Sequence, residues 1–383
     1  MTTALSEDDL YRTSTQYRLW SFSPEQLAAQ RKKTHELALA RAKLYQQHGS
    51  ANGEPEPVTP ADCLTAEEEL GLVRRYCIVL SKMAARMNIP PLITATGIQY
   101  LKRFYLSNSC MTYPPKELYK TVLFLATKTE ALHWTVHKFT RAYAGGDAEA
   151  VLAPEYKVMQ ALRFTLDVRH PYRGLKGVLM ELLNMIEGID GSTTDGRSGK
   201  EVQEAMMALD LPKPGASRTP WQPRKSEKIT ETALRDRVMA AYEGARQLLD
   251  AHALITDAYF LYTPSQILLA ALRLSDPPLA AFYLDTKIAL ELPARPKILA
   301  TISSCASLLS SFDPEGGMSK QESVGLEEKL ERCRDPSTRD LVKSHRDAKS
   351  GGQSDEKDKK RKLERQKSSR DADDLFGPSL SKG

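Results

Sequence analysis

Cysteine is scarce in this chain, and strand signals are scarcer still. Its 383 residues hold five Cys, at 63, 77, 110, 305 and 333, none at C-x-x-C spacing. An odd count without that spacing argues against a disulfide framework, and the chain reads as intracellular. No uncharged apolar run reaches the roughly 18 residues that a membrane span needs. The N-terminus, M-T-T-A-L-S-E-D-D-L, is polar and acidic and lacks the apolar core of a signal peptide. A G-x-S-x-G motif, paired acids in an obvious cleft and a Cys–His constellation are missing too. Nothing here asks for an enzyme, a cofactor or a metal.

Two segments imitate chemistry without its full requirements. Residues Gly191 to Ser198, G-S-T-T-D-G-R-S, resemble a phosphate loop, but that loop needs a preceding strand and a Lys, and Arg197 stands at the Lys position. His133 and His137 lie four residues apart but lack the glutamate of a zinc-binding H-E-x-x-H helix.

Charge of one sign is also in short supply. The formal net charge is +5, and from Arg334 onward 14 Lys+Arg face 10 Asp+Glu, so the first 333 residues are close to neutral. A nucleic-acid-binding domain usually carries a basic stripe on its folded part. No direct contact with nucleic acid is therefore expected, and none with a membrane.

What the chain has in abundance is helical punctuation. Ser23-Pro24-Glu25-Gln26 is a capping box with Pro at the first helical position and predicts a charged helix over 24–47, followed by a linker over 49–64. Thr65-Ala66-Glu67-Glu68 opens a helix over 65–88, Pro90-Pro91 one over 91–108, and Pro114-Pro115 one over 115–129. Helices over 135–144 and 150–168 complete a set of five. His170-Pro171 restarts the pattern with helices over 171–187, 229–256, 264–275, 278–291 and 296–312, interrupted by an irregular insert over 188–228. A last helix starts at Ser319-Lys320-Gln321-Glu322 and runs to about Cys333. The remainder, 334–383, is charged, poor in apolar residues and expected to be disordered.

The stretch Tyr100 to Glu130 carries the most information. Its second half is almost wholly apolar until Lys128, with Leu118, Val122, Leu125 and Ala126 at helical spacing and Leu123 and Phe124 filling the other side. A helix apolar all round is buried among other helices. Lys128, at its end, must then emerge at the surface or find a partner, because a buried unpaired charge is costly.

These residues resemble the cyclin family over about 65–312, and its cyclin H branch from about Tyr17 to Cys333. The resemblance rests on Y-R-L-W-S-F-S-P-E-Q-L (Tyr17 to Leu27), Y-L-K-R-F-Y-L-S-N-S (Tyr100 to Ser109), H-P-Y-R (His170 to Arg173), L-I-T-D-A-Y-F-L-Y-T-P-S-Q-I (Leu254 to Ile267) and E-E-K-L-E-R-C (Glu327 to Cys333). It implies an all-α fold of two five-helix cyclin-box repeats with extra N- and C-terminal helices. The implied organisation is an N-terminal extension over 1–64, a first box over 65–169, a second over 170–312, a C-terminal helix over 313–333 and a tail over 334–383.

The implied function is that of a nuclear, non-catalytic activator of a cyclin-dependent kinase. Its implied partners are that kinase, a RING-finger assembly factor and the core of transcription factor IIH, with substrates in RNA polymerase II transcription and among other kinases. Lys128 and Glu155 align with the lysine and glutamate of the cyclin box, the lysine hydrogen-bonding backbone carbonyls near the kinase C-helix. Tyr119, Leu123 and Phe124 are candidate kinase anchors, with plain core as the alternative.

The first-box helix lacks the M-R-x-x-L motif of cell-cycle cyclins, so docking of R-x-L substrates there is not expected. The other fold-level alternative is a DNA-binding cyclin-fold factor similar to transcription factor IIB, but that family has a zinc ribbon before its repeats. Thr59 and Thr219, each before a Pro, are candidate phosphorylation sites. The run Lys359 to Lys362 reads as a nuclear localisation signal or a solvated charge run.

Overall fold

A computed structural model of the protein describes residues 7–49, 63–143, 146–190, 193, 196–210, 230–314 and 318–350. Among them every regular element is a helix. Two short helices, α1 (Glu7–Thr13) and α2 (Thr15–Trp20), precede the long α3 (Pro24–Gly49). The first repeat comprises α4 (Ala66–Arg86), α5 (Pro91–Phe104), α6 (Pro115–Thr129), α7 (Val136–Ala142), α8 (Ala148–Leu152) and α9 (Glu155–Ala161). The second comprises α10 (Tyr172–Ile186), α11 (Gly199–Met207), α12 (Glu231–Leu248), α13 (Ala258–Leu261), α14 (Pro264–Ser275), α15 (Pro277–Lys287) and α16 (Arg295–Ser310). Helices α17 (Lys320–Arg332) and α18 (Leu341–Ser350) follow.

Caps read from the sequence form as hydrogen bonds. Thr65, Thr263 and Ser319 each accept from the backbone N–H three residues on, while the side chains of Glu68, Gln266 and Glu322 reach back. Ser23 and Gln26 exchange the same pair. In the first repeat α5 and α6 pack on each other and on α4, and α6 also meets α8 and α9. Ile98, Leu101, Leu118, Val122 and Leu123 lose all contact with water there. In the second, α14 is central and touches α10, α12, α15 and α16.

Several expectations need correction. The helix expected over 150–168 is two short ones, because Pro154 cannot continue α8 and instead occupies the N-cap of α9. Arg163 and Phe164 then take left-handed φ values of 53° and 54°, so no helix reaches residue 168. The insert contains an ordered helix, α11, opened by a capping box between Ser198 and Glu201. Helix α12 leaves α-geometry at Leu249–Ala253, which forms a π turn.

The expected disorder after Cys333 does not hold for 334–350. There Arg334 pairs with Glu117 at 2.7 Å, the Asp335 N–H donates to Met111 O, and α18 follows. The linker over 50–62, Thr59, Thr219 and Lys359 to Lys362 lie outside the described residues.

The terminal helices stitch the repeats together. Gln16 Oε1 accepts from the Arg169 N–H at 2.7 Å and from Arg103 at 3.1 Å, and Trp20 Nε1 donates to Thr165. Arg31 of α3 holds Asp257 of the second repeat through two bonds of 2.8 and 2.7 Å. Trp20, Leu27, Leu106 and Phe260 form a small apolar cluster at this joint. Trp20 and Phe22 therefore pack inward.

Candidate functional site

Helix α6 delivers Lys128 to the surface. Every residue from Thr121 to Thr127 is buried, whereas the Lys128 side chain keeps 41% of its exposure. Helix α9 supplies the partner. Glu155 occupies its first turn, where the helix dipole favours a carboxylate, and pairs with the Lys128 ammonium. The Phe124 ring lies 4.8 Å beneath Nζ and limits its movement. One N–H faces Glu155, which leaves two donors for an incoming backbone.

Beside this pair the surface is aromatic. Tyr156 and Phe164 are 60% and 59% exposed, and their rings lie 6.4 Å apart. The left-handed backbone at Arg163 and Phe164 is uncommon outside glycine and carries strain. It is held by Arg163 N–H to Gln160 O at 2.9 Å and Phe164 N–H to Met159 O at 3.0 Å. A strained turn that displays a phenyl ring to water suits a contact surface. Sequence reasoning did not single out either residue as exposed. The available signal was their register: Val158 and Leu162 face inward, and Tyr156 and Phe164 fall off that stripe.

The expected anchors on α6 divide. Leu123 has no exposed surface, and its backbone closes against Gly97, so its role is core packing and not contact. Phe124 is 4% exposed and serves as the platform under Lys128. Tyr119 is half-buried and packs against Tyr76 at 5.5 Å. It lies nine residues before Lys128, about 13 Å along a helix axis, so it does not join the Lys128–Glu155 pair.

A buried polar chain fixes the end of α6 from behind. Glu130 accepts from Thr96 Oγ1 at 2.7 Å, Thr96 Oγ1 meets His170 Nε2 at 2.9 Å, and His170 Nδ1 meets the Tyr259 hydroxyl at 3.0 Å. Donor bookkeeping sets its direction. The carboxylate accepts, so Thr96 donates to it and accepts from Nε2–H; Nδ1 is then bare and accepts from Tyr259. Burial, aided by the Arg103 guanidinium, pushes His170 down to about 3, so it stays neutral and keeps this tautomer. Glu130 is thus an internal acceptor that ties the Lys128 end to the second repeat.

His133 and His137 gain no third ligand: among the described residues no group of three His, Cys, Asp or Glu is placed to hold a metal. No helix among the described residues is long and apolar enough to cross a membrane. Ser198, at the end of the phosphate-loop imitation, caps α11.

Comparison with known proteins gives consistent matches. Residues 170–310 match the family described as "Cyclin C-terminal domain". "Cyclin CCL1" of Saccharomyces cerevisiae is 32% identical over 289 residues, which cover 74% of this chain and 62% of that protein. A chain of the CAK complex of Chaetomium thermophilum bound to ATP-gamma-S shares 32% identity at a TM-score of 0.70, covering 99% of this chain and 100% of that one. A chain of the yeast TFIIK (Kin28/Ccl1/Tfb3) complex shares 27% identity at a TM-score of 0.53, covering 78% and 100%.

Proposed function

The chain belongs to the cyclin family, and we propose that it is a cyclin H-like regulatory subunit. It binds and activates a cyclin-dependent kinase that acts in RNA polymerase II transcription and as a kinase-activating kinase. The observation that carries this is the outward face of α6 and α9, where Lys128, Glu155, Tyr156 and Phe164 meet. Similarity over nearly the whole chain to a subunit of the CAK complex supports the assignment. The relationship to a chain of TFIIK, with its Kin28 and Tfb3 components, supports a kinase, a RING-finger assembly factor and the transcription factor IIH core as partners. The same relatives favour the nucleus as its location.

The mechanism is a population shift. A protein kinase works when the C-helix Glu pairs with the strand Lys that positions ATP phosphates. A rigid partner that binds only the inward C-helix favours that state by its difference in binding free energy; about 5.5 kcal/mol converts 1:99 into 99:1. Lys128, oriented by Glu155 and Phe124, offers donors to carbonyls at the end of the C-helix, and Phe164 and Tyr156 offer apolar anchors. No group on this chain takes part in phosphate transfer; the chain only holds the kinase in its working state.

Affinity capture of the tagged full chain from cells tests the proposal. Recovery of one cyclin-dependent kinase in stoichiometric amount, active on a Ser-Pro repeat peptide, is the expected outcome. Recovery of promoter DNA without a kinase contradicts it.

A further inference from the structure

A cleft lined by other residues lies where three parts of the fold meet. Arg31 and Thr34 of α3, Val73, Arg74 and Cys77 of α4, Lys102 at the end of α5, and Ile255 with Asp257 of the second repeat line it. Its volume is ≈ 60 Å³, and it opens to solvent.

Its charges do not cancel internally. Asp257 is spent on Arg31 through two hydrogen bonds. Glu69, the other acid on the wall, is engaged by His35 at 2.6 Å, by Ser109 Oγ and by the Cys110 N–H. Two cations remain. Lys102 is 6% exposed and gives two N–H groups to neutral acceptors, Leu254 O and Thr256 O, which leaves a third. Burial pushes its pKa down to about 8, with Asp257 opposing, as expected of an ammonium short of counter-charge. Arg74 lies at the exposed edge, and no hydrogen bond or ion pair engages it among the described residues. The remaining wall, through Val73, Cys77 and Leu106, is apolar.

We propose that this cleft binds a small amphipathic carboxylate, its acidic group between Arg74 and Lys102 and its apolar body against Val73, Cys77 and Leu106. Inorganic phosphate would leave the apolar wall unused, and a neutral apolar ligand would leave both cations unmatched. A seated ligand touches α3, α4 and the Ile255–Asp257 segment together, so it also braces the joint between the repeats. The site is separate from the α6–α9 face, and its test needs no kinase.

The full chain, labelled at Ile methyl groups, is titrated with 4-phenylbutyrate, with 4-phenylbutan-1-ol and with inorganic phosphate. The Ile255 methyl, on the cleft wall, is the reporter, and the buried Ile302 methyl is the control. The expected result is a saturable Ile255 shift with the carboxylate alone, and affinity lowered about tenfold in Arg74→Gln. Arg74 is exposed, so this variant keeps the fold, and the carboxylate–alcohol contrast holds in the unsubstituted protein regardless. An equal response to the alcohol or to phosphate, undiminished affinity in Arg74→Gln, or no shift at Ile255 overturns the proposal.

Discussion

Thr96 Oγ1 stands 2.9 Å from His170 Nε2, and this contact joins the two repeats directly behind the Lys128 end of α6. Replacing Thr96 by Val keeps the shape and removes the hydroxyl. The His170 N–H and a Glu130 oxygen then lose their partner inside the protein. An unsatisfied buried polar group costs about 1–3 kcal/mol, so urea denaturation of Thr96→Val should show a loss of that size. An unchanged midpoint contradicts the hydrogen-bond chain.

The same histidine sets a pH dependence. Its folded pKa of about 3 lies below the ordinary value of 6.5, so the folded state disfavours the proton. Stability from this group is fully present above about pH 6.5 and falls as pH drops toward 3, by at most about 1.4 kcal/mol per pH unit. His170→Gln removes that contribution. Urea midpoints between about pH 7 and pH 5 should therefore fall for the native chain and flatten for the variant. Parallel slopes contradict a neutral buried His170.

Lys128→Ala and Glu155→Ala separate binding from folding. The pair is partly exposed, and exposed ion pairs contribute about 0–1 kcal/mol to stability. Melting should shift little in either variant, while affinity for the kinase should drop in both. Glu155→Ala acts only by releasing Lys128, so the double variant should bind the kinase little worse than Lys128→Ala alone. Additive losses contradict a shared role.

Phe164→Gly should move stability and binding in opposite directions. Glycine adopts the left-handed φ of 54° without a Cβ clash, so relief of strain favours folding by up to about 1 kcal/mol. Loss of the exposed ring should weaken kinase affinity by about tenfold or more. Thermal melts and binding titrations read the two effects. Unchanged affinity removes Phe164 from the contact surface.

Local signals were legible in the sequence and distant ones were not. The boxes at Ser23, Thr65, Thr263 and Ser319 depend on a donor and an acceptor three residues apart, so sequence spacing contains the whole interaction. Pro115 and Pro264 mark helix starts for the same local reason. Helices α1 and α2 are held by Gln16 to Arg169 and Trp20 to Thr165, contacts that no window of sequence contains. Residues 334–350 read as polar tail because their order comes from Glu117, Met111 and Thr112. In the site, periodicity placed Lys128 at the end of a buried helix. An all-round apolar α6 could not show which side faces outward, so Leu123 and Phe124 were legible as buried but not as core and platform. The role of Glu130 was not legible because its partners, Thr96 and His170, are brought to it by two other parts of the chain.

Reconstituted phosphate transfer tests the activating role most directly. The purified cyclin-dependent kinase is assayed on a Ser-Pro repeat peptide alone, with the native chain, and with Lys128→Ala, at saturating ATP. A large rise in rate with the native chain, a marked loss of that rise with Lys128→Ala at limiting concentration, and no transfer by the chain alone are predicted. A kinase equally active with and without the chain, or phosphate transfer by the chain by itself, contradicts it.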